Sequence, residues 1–189
     1  MTTRTLSVEL FSTVDGFASG SEAEGYFGMY GPDLEAWINE QLADDHVMVM
    51  GRKTYVEMAE IVATVEDQSF ARLAELPKIV FSSTLEDKDL TWANTTQCRD
   101  DAVTKIAELK SHPGDPLRVI GSVSLLHSLM EQGLVDVYRL IVFPQILGAT
   151  GEVPIHAGLP DLDLELTATR VLDGRLVVLD YAPKRPAAS

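Results

Sequence analysis

Cysteine is almost absent from this sequence, since Cys98 is the only one among 189 residues. An internal disulfide framework is therefore excluded, and a single thiol is typical of proteins in a reducing compartment. No apolar run approaches the roughly 20 residues that span a bilayer, and the first residues lack the apolar stretch of a secretory signal. We therefore expect a cytoplasmic protein that has no membrane partner.

Basic residues are also scarce. The chain has 15 Lys and Arg against 29 Asp and Glu, which gives a formal net charge of −14. Such a field repels phosphate backbones, so the composition argues against a nucleic-acid partner. A small anionic ligand is still compatible with this charge, because helix N-termini and two or three arginines hold such ligands locally.

Several motifs of common chemistry are missing. The sequence contains no Walker motif, no Gly-x-Gly-x-x-Gly and no zinc-deaminase signature. The four histidines, at positions 46, 112, 127 and 156, are scattered, and none has a second histidine or a cysteine three or four residues further on. We therefore predict no metal site, and we interpret Cys98 as a packing residue.

What is present alternates between strand and helix patterns. Apolar alternation or short apolar runs predict strands at 4–11, 46–50, 78–81, 90–93, 117–120 and 137–143. Helical spacing follows at 32–42, 54–63, 100–110 and 122–132, and Asp173-Gly174 predicts a hairpin between 162–172 and 175–181. This order predicts an α/β fold: three layers, α/β/α, around a mixed, mostly parallel sheet with a C-terminal antiparallel hairpin. We expect one domain at 1–183 and a disordered tail at 184–189.

The ends of three predicted strands carry residues suited to phosphate. These are Gly51, Arg52, Lys53 and Thr54 after one strand, Gly121, Ser122 and Ser124 after another, and Ser82 and Ser83 after a third. Ligands of open α/β sheets bind outside the carboxyl ends of the strands, where glycine lets the backbone approach and helix amides are free. Each feature taken singly also fits ordinary turn geometry or, for the serines, a helix cap.

Residues 17–31 are rich in glycine and show little periodicity. A structureless stretch of this size in a compact domain usually carries a site, so we predict a functional loop here. Proline and acid at 32–33 then begin a helix that contains Trp37.

Taken in order, these segments resemble the dihydrofolate reductase-like superfamily and, within it, the riboflavin-biosynthesis (RibD) C-terminal reductase domain family. Residues 47–55, which include Met-Gly-Arg-Lys-Thr, are similar to the dihydrofolate reductase segment whose arginine and threonine contact NADPH phosphates. The riboflavin family's landmarks are matched at 13–16, 78–85, 119–122, 133–136 and 144–148. The resemblance covers residues 4 to about 182.

The resemblance implies a homodimeric, NADPH-dependent reductase of a small heterocyclic (pterin- or pyrimidine-like) or carbonyl-type substrate. It implies the following cofactor residues: Val14, Asp15 and Gly16 at the nicotinamide; Gly51, Arg52, Lys53, Thr54, Ile120, Gly121, Ser122 and Ser124 at the phosphates; and Ser82 and Ser83 at the adenosine ribose. The substrate is expected against Tyr26, Tyr30 and Trp37, with Asp33 as the catalytic acid.

Two departures from the family pattern concern this site. Ser122 stands where dihydrofolate reductases have the second of two glycines, which alters the expected pyrophosphate contact. The position of the acid is open by one residue, because alignment on Trp37 places Leu34 there, and Asp33 then serves only as a first-turn acid of its helix. A non-catalytic nucleotide- or flavin-binding module of the same fold is the alternative function.

Overall fold

A computed structural model of the chain describes residues 4–64 and 68–184. Eight strands form one sheet: β1 (Leu6–Thr13), β2 (Val47–Gly51), β3 (Lys78–Phe81), β4 (Thr95–Cys98), β5 (Leu117–Ile120), β6 (Val137–Phe143), β7 (Leu164–Leu172) and β8 (Leu176–Pro183). Five helices accompany it: α1 (Pro32–Ala43), α2 (Arg52–Thr64), α3 (Gln68–Glu75), α4 (Ala102–Lys110) and α5 (Val123–Glu131). All of the predicted tail beyond Lys184 lies outside the described residues.

The spatial order of the strands is β4-β3-β2-β5-β1-β6-β8-β7. The first six pair in parallel, whereas β8 runs antiparallel to both β6 and β7. The predicted mixed, mostly parallel sheet is therefore confirmed. Because the six parallel strands point the same way, their carboxyl ends lie along one side of the sheet, which we call the carboxyl edge.

Helices cover both faces of the sheet, as the continuous apolar run in β2 predicts. Met48 and Met50 of β2 pack on one face in a cluster that includes Leu42 of α1 and Tyr55 of α2. Val49 points to the other face, where the core contains side chains from α4 and α5. The three-layer α/β/α prediction is thus confirmed. Among the described residues, no helix has the length and apolar character needed to cross a membrane.

Two local predictions were wrong. The strand expected at 90–93 begins instead at Thr95, and the apolar residues before it form a loop that buries Trp92 in the core. Trp92 is held there by Tyr55, whose hydroxyl accepts a hydrogen bond from its amide at 3.0 Å. Helix α3 has no counterpart in the prediction. A short run that is mostly apolar, such as Leu90-Thr91-Trp92-Ala93, does not distinguish a strand from a buried loop.

Beneath α1 the sheet carries a buried ionic cluster, which we call the Arg139 cluster. Arg139 of β6 makes two 2.7 Å contacts with Asp180 of β8 and lies 3.6 Å from Glu9 of β1. Its guanidinium also bonds Gln41 of α1 and lies 5.6 Å from the ring of Trp37. Burial raises the pKa of Glu9, against the opposing effect of Arg118 and Arg139. The cluster joins three strands to one helix.

The C-terminal hairpin is confirmed at Asp173-Gly174, where both residues have positive φ (51° and 63°), as a type I′ turn requires. Because β8 is antiparallel to β6, with Val142 opposite Val177, the turn lies at the carboxyl edge. Strand β7 is the outermost strand and is exposed along nearly its whole length.

Candidate functional site

Two strand-to-helix junctions predicted to bind phosphate meet at the carboxyl edge. A Cβ atom placed on Gly51 would lie 2.8 Å from the hydroxyl oxygen of Ser122. A Cβ atom on Gly121 would lie 3.2 Å from the hydroxyl oxygen of Thr54. The β2–α2 and β5–α5 junctions are therefore in contact, and glycine is needed at both for this approach.

Gly121 and Ser122 both adopt left-handed backbone conformations, each with φ of 58°. For serine this region costs on the order of 1–3 kcal/mol, and such strain clusters at ligand sites. The Ser122 hydroxyl makes no capping hydrogen bond to α5. Ser122 thus keeps the left-handed conformation that a glycine would adopt and presents a hydroxyl beside Gly51.

Four helices begin at the carboxyl edge, and they differ in whether a carboxylate accepts hydrogen bonds from their first amides. Asp101 accepts from Thr104 of α4 at 2.9 Å, and Asp173 accepts from the amides of Asp33 and Leu34 at the start of α1. Among the described residues, no carboxylate is bonded to the first amides of α2 or α5. An anion at this edge would therefore bind between α2 and α5, where the amides and the positive helix ends are available.

The charged and hydroxyl side chains near this junction differ in the ion pairs and hydrogen bonds that they form. Arg52 is exposed and forms no ion pair within the described chain, whereas Lys53 lies 3.9 Å from Glu57. The Ser82 hydroxyl accepts from the amides of Thr84 and Leu85, so it stabilises the turn after β3, as its alternative interpretation predicts. Ser83 and Ser124 are exposed at the same edge.

At the end of β1, Asp15 binds the loop that follows β6. Its carboxylate accepts from the amides of Gly148 (2.8 Å) and Leu147 (3.3 Å) and from the Thr13 hydroxyl (2.7 Å). These bonds, first that from Gly148, lower the pKa of Asp15. Asp15 therefore supports the predicted nicotinamide end by holding two loops together. Val14 is exposed next to it, and Gly16 has a φ of 82°.

Gln145 is a residue that motif reasoning did not assign to the site. Its carbonyl oxygen accepts from the amide of Val14 at 3.0 Å, which places it at the ends of β1 and β6. Its side-chain Oε1 is buried and has no hydrogen-bond partner among the described residues. A buried oxygen without a partner is costly, so a ligand amide at this point would satisfy it. The only sequence signal for Gln145 was its place within the matched segment 144–148.

An aromatic cluster surrounds the predicted substrate side. Phe11 of β1 lies edge-on to Tyr26 and to Phe143, with ring centroids 5.3 and 5.7 Å apart, and Tyr30 lies 5.2 Å from Tyr26. Phe27 packs on Phe143 from the loop above. Tyr26 and Phe27 hold left-handed backbone conformations (φ 51° and 50°), a strained turn that bends the loop over the strand ends.

Trp37 was predicted to contact the substrate, but only 3% of its surface is exposed. It packs in the core between α1 and the sheet with Leu34, Phe143 and Leu176. From there Trp37 supports the aromatic cluster and the Arg139 cluster, and it has almost no free surface for a ligand.

Asp33 lies at the carboxyl edge in the first turn of α1. Its Oδ2 accepts from the amide of Asp173 at 2.9 Å, and Asp173 accepts from the amide of Asp33 in return. This exchange fixes the hairpin turn to the start of α1 and gives Asp33 the first-turn role that was its alternative. Its catalytic role stays a prediction. Within the described residues, no three His, Cys, Asp or Glu side chains are grouped to hold a metal ion.

Comparison with protein families places most of the chain in one of them. The model described as the RibD C-terminal domain matches residues 4–178. An uncharacterized Bacillus subtilis protein, YyaP, is 25% identical in an alignment of 183 positions that covers 94% of this chain and 94% of that protein.

Solved structures share the fold at lower sequence identity. A protein from Shewanella sp. PV-4 attributed to riboflavin biosynthesis is 18% identical, with a TM-score of 0.70 over 96% of this chain and 99% of that one. A Thermotoga maritima diaminohydroxyphosphoribosylaminopyrimidine deaminase/5-amino-6-(5-phosphoribosylamino)uracil reductase is 14% identical, with a TM-score of 0.65 over 96% of this chain and 57% of that one.

Proposed function

The chain belongs to the RibD C-terminal domain family, and from this premise we propose that it is an NADPH-dependent reductase. It transfers a hydride to a small heterocyclic, pyrimidine- or pterin-like, or carbonyl-type acceptor. The single observation that carries the proposal is the meeting of α2 and α5 at the carboxyl edge, with uncapped first turns and the unpaired Arg52 beside them. This arrangement fits the phosphates of a dinucleotide.

The residues of this chain divide the proposed binding task. The first amides of α2 and α5, with Arg52, Thr54 and Ser122, hold phosphate oxygens. At the other end, the Asp15-bound loops present Val14 to one face of the nicotinamide, and Oε1 of Gln145 accepts from its carboxamide. NADPH supplies the hydride when it is bound; the protein orients it and excludes water.

The acceptor binds against the aromatic cluster in this proposal. The rings of Phe11, Tyr26 and Tyr30, which contact one another in sequence, form one wall near the paired ends of β1 and β6. Aromatic walls suit flat rings and shield the reacting carbon from water. The reductase in Thermotoga maritima is named for a uracil derivative, which supports a pyrimidine-type ring here.

A non-catalytic binding module is the second candidate, favoured by the engagement of Asp33 with the hairpin. Incubation with NADPH and a panel of pterin, pyrimidine, flavin and carbonyl acceptors separates the two. The reductase proposal requires acceptor-dependent oxidation of NADPH, which is measured as the loss of absorbance at 340 nm. Binding of NADPH without oxidation by any member of the panel would favour the module.

We expect Asp33→Asn to change turnover less than threefold, because an asparagine oxygen can also accept from the amide of Asp173. If Asp33 instead anchors or protonates the substrate, the same change lowers turnover by about 10²–10⁴-fold while NADPH binding stays constant. Steady-state kinetics of Asp33→Asn and Asp33→Ala distinguish these cases. The Ala variant alone should lose stability, because it has no acceptor for the hairpin.

We also propose a homodimer, since β7 is a long, exposed sheet edge that carries Leu166 and Val171 outward. An unpaired edge of this kind requires cover or a partner strand. Light scattering at micromolar concentration should give twice the chain mass of 20.7 kDa. A mass near 20.7 kDa would contradict the proposal.

A further inference from the structure

Glu9 of β1 is a buried acid to which the proposed function gives no task. Its side chain is only 13% exposed, and its Oε2 is buried without a hydrogen-bond partner among the described residues. The guanidinium of Arg139 lies 3.6 Å from that oxygen, which is longer than a hydrogen bond. A buried oxygen without a partner is costly, so a ligand atom at this point would satisfy it.

Glu9 lies below the place where the proposed function brings the nicotinamide and the acceptor together. Side chains alternate along a strand, so Glu9 is on the same face of β1 as Phe11, about 7 Å further from the carboxyl edge, whereas Val8 and Leu10 point into the opposite core. The backbone carbonyl of Glu9 accepts from the amide of Gly121 at 3.3 Å. Glu9 therefore lies between the aromatic wall and the β5–α5 junction.

The charged groups that face Glu9 come from three strands: Arg118 of β5, Arg139 of β6 and Asp180 of β8. Helix α1 adds the uncharged side chain of Gln41, which is bonded to Arg139. Burial raises the pKa of Glu9, and Asp180 adds to this effect, whereas Arg118 and Arg139 oppose it. Glu9 therefore keeps a proton at higher pH than an ordinary glutamic acid, and the two arginines stabilise the carboxylate once the proton has left.

Other acids near the acceptor end are less suited to supply a proton. Oδ2 of Asp33 accepts from the amide of Asp173, and the carboxylate of Asp15 accepts from the amide of Gly148. The bonds to Asp15 favour its ionised form and lower its pKa, so Asp15 holds no proton near neutral pH. The surroundings of Glu9, by contrast, favour the protonated form.

We propose that the carboxyl group of Glu9 donates the proton that accompanies hydride transfer to the acceptor. The inference rests on the reductase function above and adds the acid that this reaction needs. The O–H bond of Glu9 breaks as its proton passes to the nitrogen or oxygen of a C=N or C=O bond, whose carbon takes two electrons and one hydrogen as hydride from NADPH. NADP⁺ and the carboxylate of Glu9 remain, and solvent returns a proton to the carboxylate before the next turnover.

Glu9→Gln tests this role, because glutamine keeps the shape of the side chain and has no acidic proton. The probes are dihydrofolate and 5-amino-6-(5-phosphoribosylamino)uracil, each with the full chain and saturating NADPH. For a probe that the wild type reduces, kcat of Glu9→Gln at neutral pH should fall by about 10²–10⁴-fold. KM and the affinity for NADPH should change less than about threefold, which shows that the variant is folded.

Asp180→Asn is the matched control, because it alters the same cluster and leaves the acid in place. Activity requires protonated Glu9, so kcat of the wild type should be full at low pH and fall as the pH rises through the raised pKa of Glu9. This decline should be absent from Glu9→Gln. In Asp180→Asn it should move to lower pH, because a carboxylate that favours the proton on Glu9 is lost.

A ¹³C NMR titration of the glutamate carboxyl groups tests the same acid without any acceptor. The resonance that is missing in Glu9→Gln should titrate above the ordinary value of about 4.3. Titration at or below that value, an unchanged kcat in Glu9→Gln, or equal losses with the same pH profile in both variants would overturn the inference. If the wild type reduces neither probe, the reductase function is contradicted, and the proton-donor role with it, even where Glu9 titrates as expected.

Discussion

Replacement of Arg52 by alanine is expected to weaken NADPH binding by tenfold or more. Arg52 is exposed beside the first turn of α2, and no acid within the described residues pairs with it. A charge-assisted bond to a phosphate is worth about 1.5–3 kcal/mol, and 1.4 kcal/mol corresponds to a factor of ten in affinity. Titration by nicotinamide fluorescence measures the change.

Arg170→Ala is the matched control for this variant, because it removes the same charge from β7, where Arg170 pairs with Glu40 on the surface. NADPH affinity should then change less than twofold. Thermal unfolding of Arg52→Ala should match the wild type, since the side chain is exposed and supports no core contact. An unchanged NADPH affinity in Arg52→Ala would rule out the α2–α5 junction as the phosphate site.

The largest effect on stability is expected from Arg139→Met, with a loss of about 3–5 kcal/mol in the free energy of unfolding. Arg139 is only 17% exposed, and its removal leaves the Asp180 and Glu9 carboxylates without their shared cation. A buried charge without a partner is far more costly than the net gain from the intact pair. Urea denaturation gives the change directly.

Two further variants make this result specific to the Arg139 cluster. Arg170→Ala breaks an ion pair whose side chains are 51% and 62% exposed, so it should cost less than about 1 kcal/mol. Adding Asp180→Asn to Arg139→Met should recover part of the loss, because it removes one of the stranded charges. A loss below 1 kcal/mol in Arg139→Met alone would show that the cluster is hydrated and not a buried network.

The fold could be predicted from the sequence where local patterns were strong. The apolar run of β2, flanked by residues for a strand-to-helix turn, predicted its burial and its parallel neighbours. Asp173-Gly174 predicted the hairpin from turn chemistry alone. The strand predicted at 90–93 was wrong, because the burial of Trp92 in a loop depends on Tyr55, which is 37 residues away in the sequence.

The sequence predicted which residues lie at the candidate site, but it did not predict which hydrogen bonds those residues form. Strand ends placed Gly51, Thr54, Gly121 and Ser122 at one edge, and the structure brings them together. The hydrogen bond between Asp33 and Asp173 could not be predicted, because those residues are 140 positions apart in the sequence. Pairings over such separations depend on the sheet order, which no local pattern specifies.

Comparative titration with NADPH and NADH tests the central claim most directly. Arg52 and the serines after β3 offer positive charge and hydrogen-bond donors at the proposed adenosine end, which suit a 2′-phosphate. With nicotinamide fluorescence as the readout, NADPH should bind at least tenfold more tightly than NADH. Equal affinity, a preference for NADH, or no binding of either nucleotide would contradict an NADPH-dependent reductase.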